Sequence, residues 1–107
     1  MSNGSWRAGV SEKEKTELVL IFSTSDNLWL RRVAIDYQQK YKEKTDVQQL
    51  EEIICNNLNT DEFFIDKAIG WSLRDYSKTN PEWVRKFVNN YKDELAKLSI
   101  REASKNL

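Results

Sequence analysis

The chain has 107 residues, 32% of them charged and 39% hydrophobic, and its 17 basic and 17 acidic side chains cancel to a formal net charge of zero. That length fits one domain with a modest core, and four residues each of Trp, Tyr and Phe argue against disorder. Histidine is absent and Cys55 is the single cysteine. These counts exclude His-bearing catalytic triads, His-ligated or cysteine-rich metal sites and any internal disulfide.

No apolar run approaches the ~18 residues a membrane helix needs, and the N-terminus lacks the apolar core of a signal peptide. An intracellular, reducing setting (cytoplasm or nucleus) is expected. Balanced charge weakens a simple case for nucleic-acid binding, yet basic side chains can still gather on one face.

Residues 1–10 hold two of the three glycines and read as a loose lead-in to a domain over 11–107. The first helix is expected at 11–23, opened by the capping-box pair Ser11 and Glu14. Leu18, Ile21 and Phe22 form its apolar stripe, with Val19 and Leu20 off it. That surface would suit homodimerisation or a preceding N-terminal repeat. A second helix at 26–42, capped by Ser25 or Asp26, carries Leu30, Val33, Ala34, Tyr37 and Tyr41 on one face. Thr45 and Gln48 form a second capping box before helix 46–57, with Val47, Leu50, Ile53 and Ile54 inward. Cys55 has no basic partner in sequence and reads as an inert, half-buried thiol.

Thr60 caps helix 61–77, with Ile65, Ala68, Ile69 and Leu73 inward. Asn80 followed by Pro81 opens helix 81–94, and Ser99 with Glu102 opens the last helix at 99–106. No segment alternates with period two for long enough to suggest a strand. Short linkers make neighbouring helices antiparallel, giving hairpins 26–57 and 61–94 with a single helix on each side.

An internal echo supports this arrangement. The stretch Trp29–Tyr37 lines up with Phe63–Trp71 at an offset of 34 residues, and a weaker copy begins near Leu98. Self-similarity at that period marks stacked helical repeats, which act through a shared curved surface. The fold class is therefore all-α: about six helices in a right-handed superhelical stack of antiparallel pairs.

Candidate chemistry gathers on the second and fourth helices. Lys67, Trp71, Arg74 and Lys78 share one helix face. They form either a cationic stripe around an indole suited to nucleic acid or the solvated rim of a core tryptophan. Arg31 and Arg32, near a helix N-terminus, suggest a phosphate clamp, although Arg32 could equally pair with Asp36. Asp61, Glu62 and Asp66 suit the positive end of a helix dipole better than a catalytic pair. Gly70 signals either close helix packing or room for a ligand beside Trp71.

The motifs Asn27-Leu28-Trp29-Leu30-Arg31-Arg32 and Gly70-Trp71-Ser72-Leu73-Arg74-Asp75-Tyr76-Ser77-Lys78-Thr79-Asn80-Pro81, together with the closing Leu98–Lys105, resemble the C-terminal half of the AlkD-type DNA alkylation-repair glycosylases. The resemblance runs from about residue 24 to the end. It implies HEAT-like repeats whose concave face holds duplex DNA, and hydrolysis of the N-glycosidic bond of N3- or N7-alkylated purines without a cofactor. It also implies that Arg32 lies near the lesion's backbone, that Trp71 touches the deoxyribose and that Arg74 supports DNA binding. The family's catalytic aspartate and a second tryptophan lie on an upstream helix. The segment before Ser25 offers Glu12, Glu14 and Glu17 but no aspartate, so no residue is assigned the catalytic role and little excision is expected. The alternative is a non-catalytic HEAT-like module that binds protein.

Overall fold

The computed structural model describes residues 12–107. The lead-in and the Ser11 cap lie outside that range. Among the described residues six α-helices follow one another: α1 (Glu12–Ser23), α2 (Leu28–Asp36), α3 (Val47–Cys55), α4 (Phe63–Ser77), α5 (Pro81–Asn90) and α6 (Lys97–Ala103). Single 3-10 turns occupy Lys42–Lys44 and Ser104–Asn106, and no strand occurs among the described residues.

α2, α3 and α5 begin where a side-chain oxygen satisfies their first N–H groups, whereas α4 and α6 have no side-chain cap bond and Thr60 accepts from the Glu62 amide just ahead of α4. Asn27, not Ser25 or Asp26, caps α2, its Oδ1 accepting from the Trp29 and Leu30 amides. Ser25 instead steadies the cap by accepting from the Asn27 amide. Asp46, one residue beyond the expected Thr45, caps α3 through the Gln49 amide. Asn80 caps α5 as expected, with Pro81 at its first position.

Two boundaries differ for tertiary reasons. α2 stops at Asp36 because the chain turns through positive φ at Lys40 and Lys42. The buried Gln38 amide exchanges two hydrogen bonds with the Asp46 backbone, tying that turn to the start of α3. α6 begins at Lys97, ahead of Ser99. The Ser99 hydroxyl is inside the helix and donates to the Asp66 carbonyl of α4 at 2.6 Å.

The helices that carry the sequence echo lie side by side, α4 in the middle with α2 and α6 against it. α1 and α3 pack on α2, and α5 packs on α4 and α6. With extents of 40 × 30 × 19 Å, the molecule is a slab about two helix diameters thick. Its centre is Ile35, Ile53, Ile54, Ile65, Ile69, Leu73 and Val84, all fully buried. The α1 stripe is rotated from expectation: Val19 is in the core, while Ile21 is 65% exposed.

Two devices fix the stack. Gly70 lets α6 cross α4 at backbone distance, which settles its role as close packing. Asn57, fully buried, donates to the carbonyls of Ser23 and Ile53 and so ties the end of α1 to the end of α3.

Candidate nucleic-acid interface

The cap at Asn27 sets Trp29 in the first turn of α2, and α4 opens beside it with Phe63 and Phe64. All three rings are exposed, as is Trp71 two turns further along α4. Trp29 and Phe64 stack across the helix pair with ring centres 6.2 Å apart. The Arg32 guanidinium lies 4.5 Å from the Phe64 ring centre and 6.0 Å from that of Trp29. Lys67 Nζ is 5.7 Å from Phe63, and Arg74 is 5.8 Å from Trp71. Each such contact is worth about 0.5–1 kcal/mol at exposed sites. Together they hold cations against rings that also face solvent.

An open cleft of about 470 Å³ runs between α2 and α4, lined by Arg32, Asp36, Gln39, Phe63, Phe64, Lys67, Ala68 and Trp71. A second depression of about 420 Å³ continues over α2, lined by Trp29, Arg32, Val33, Asp36 and Tyr37. Arg32 and Asp36 border both. Arg32 Nε donates to Asp36 Oδ2 at 3.2 Å, and Gln39 Nε2 donates to Oδ1 at 3.3 Å. Burial pushes the Asp36 carboxyl up from its ordinary value, with the bond and charge of Arg32 opposing the shift.

Of the residues singled out from sequence, Arg32, Lys67 and Trp71 come together on this cleft. Trp71 is 49% exposed and not a core residue. Arg74 flanks Trp71 and lies 3.6 Å from Glu102 of α6. Glu102 also meets Lys105 at 3.1 Å. Lys78 is exposed where α4 ends.

Arg31 is not part of the arrangement. Its Nε donates to the Ser25 carbonyl at 2.6 Å and its Nη1 to Asn57 Oδ1 at 3.5 Å, so it braces the loop before α2. Sequence reasoning missed Phe63, Phe64 and Asp36 as cleft residues. Extending the stripe Lys67–Trp71–Arg74–Lys78 back one turn finds Phe63. Among the described residues no cluster of His, Cys, Asp or Glu could hold a metal ion.

A solved structure described as a predicted DNA alkylation repair enzyme from Enterococcus faecalis is similar to this chain, with 44% sequence identity and a TM-score of 0.81. The match covers 97% of this chain and 47% of that one, so the chain spans about half the length of that relative. No curated protein matches it significantly. The family model described as DNA alkylation repair enzyme matches residues 2–107. By that match the chain belongs to the DNA alkylation repair enzyme family.

Proposed function

We propose that the α2–α4 cleft binds duplex DNA, with the HEAT-like stack serving as its scaffold. The observation that carries this reading is segregation: a chain of zero net charge gathers Arg32 and Lys67 with the exposed rings of Phe63, Phe64 and Trp71 in one open cleft. Cations meet phosphates, while ring faces offer apolar contact to sugar or base. Arg74 and Lys78 extend the cationic track along α4. The DNA we propose carries N3- or N7-alkylated purines, in keeping with the family.

Excision is a separate matter. Hydrolysis of an N-glycosidic bond develops positive charge on the sugar, which a free carboxylate would stabilise. Among the residues lining the cleft, Asp36 is the one carboxylate, and Arg32 and Gln39 already hold it. We therefore expect the chain alone to bind and to release little or no base.

A fluorescence anisotropy titration against a short duplex tests binding. With two to four phosphates engaged, log K should fall against log salt with a slope of about −2 to −4. Arg32→Ala and Trp71→Ala should each weaken binding. No binding at low salt would sink the proposal and favour a protein-interaction module. Release of 7-methylguanine from methylated DNA at a rate near that of full-length relatives would overturn the expectation on excision.

A further inference from the structure

Asp36 sits where a phosphate-binding cleft is least expected to carry a negative charge. It borders both depressions and engages the same arginine that the cleft offers to DNA. Only the Nε edge of Arg32 is used. Among the described residues no acceptor meets its terminal nitrogens, and the guanidinium plane is held near Phe64. Arginine binds phosphate through paired N–H groups in a planar fork, so a phosphate reaching the terminal nitrogens would lie close to the Asp36 carboxylate.

We propose that Asp36 sets the DNA affinity of the cleft by competing with a backbone phosphate for Arg32, so that phosphate binding there is coupled to uptake of a proton by Asp36. This inference rests on the DNA-binding reading above.

The electrostatic surroundings fix the sign. On α2 the charged neighbour of Asp36 is Arg32. From α4, Lys67 lines the same cleft. From α1, Lys15 lies beside the Tyr37 hydroxyl at the edge of the second depression, and α3 contributes no lining residue to either. Burial already favours the protonated carboxyl, against the pull of Arg32. An added phosphate raises that preference further. The complex then holds more protons than the separated partners, and affinity rises as pH falls. Because the chain has no histidine, no imidazole titration overlays the response.

Anisotropy titrations at fixed low salt, from about pH 7 down to about pH 4, provide the test on the full chain. Wild-type binding should tighten on acidification, by at most one proton's worth of slope. Asp36→Asn and Asp36→Ala should each bind roughly two- to fivefold more tightly at neutral pH and lose most of the pH dependence. In an Arg32→Ala background the gain from Asp36→Asn should shrink. Equal or weaker binding by both Asp36 variants, or an unchanged pH profile, would overturn the inference while leaving DNA binding intact. Failure of every variant and the wild type to bind at low salt would remove the DNA reading and this inference with it.

Discussion

A β-carbon on Gly70 would lie 3.1 Å from the Cα of Ser99 and 3.2 Å from its carbonyl oxygen. Closer still is the Glu102 Cβ at 2.8 Å, which is fixed to the α6 backbone and cannot swing aside, and the hydroxyl of Ser99 is bonded to the Asp66 carbonyl one turn earlier on α4. Alanine is the better helix former by about 1 kcal/mol, but forcing a methyl into this crossing costs about 1–3 kcal/mol through displaced packing. Gly70→Ala should therefore destabilise the chain despite its propensity, read as a lower urea midpoint. A midpoint at or above wild type would show that α6 shifts freely along α4.

Adjacent arginines on α2 should separate into two kinds of effect. Arg31 holds the Ser25 carbonyl and Asn57, so Arg31→Ala takes a donor from the half-buried Ser25 carbonyl and from the buried Asn57 side chain and costs about 1 kcal/mol or more of stability. Arg32 is paired with Asp36 four residues on, with both side chains partly solvated, a pair worth about 0.3–0.5 kcal/mol. Arg32→Ala should weaken DNA binding while hardly moving the melting temperature. Thermal melts and anisotropy on the two variants check the split. Equal loss of binding in both, at equal folded fraction, would return Arg31 to the interface.

Much of this is legible in the sequence. Helix positions followed from apolar spacing and from oxygen-bearing caps, because both act within one or two turns of sequence. The cleft's Arg32, Lys67 and Trp71 were legible from a one-face spacing and from motif resemblance. What was not legible depends on contacts between distant segments. Arg31 and Arg32 are neighbours about 100° apart around the helix, and Arg31 is turned away from the cleft by the Ser25 carbonyl and by Asn57, 26 residues on at the end of α3. Ser99 and Glu102 have the spacing of a capping box, yet Ser99 is claimed by the Asp66 carbonyl and Glu102 by Arg74 and Lys105. The early end of α2 rests on Gln38 reaching the Asp46 backbone. Asp36 was visible as an ion-pair partner but not as a lining of the cleft.

Asn57 carries more than its size suggests. Its side-chain amide donates at 3.0 Å to Ser23 and 2.9 Å to Ile53, from a site with no solvent exposure. Asn57→Ala removes the partner of two carbonyls and of Arg31. The expected loss is at least about 1–3 kcal/mol, the cost of a single buried unsatisfied group. Hydrogen exchange should also quicken at the C-terminal turn of α1 before it does so in α4. Uniform acceleration across all helices would mean that the tie is global and not local to α1.

Asp66 gives a stability prediction whose sign follows from linkage. Burial, then the neighbouring charges of Asp61 and Glu62, raise its carboxyl above the ordinary value of an aspartate. The folded state therefore binds this proton more tightly than the unfolded chain. The associated stability is fully present below the unfolded value and is lost as pH rises through the folded one. Asp66→Asn carries no such loss. Its position in the first turn of α4 makes the charged form favourable to the helix dipole, which opposes the upward shift. The pH dependence of the difference between variant and wild type has one direction: the melting temperature of Asp66→Asn relative to wild type should increase from about pH 3 to about pH 6. A relative melting temperature that falls over this range would mean that the dipole and other attractive contacts outweigh burial and the two acidic neighbours.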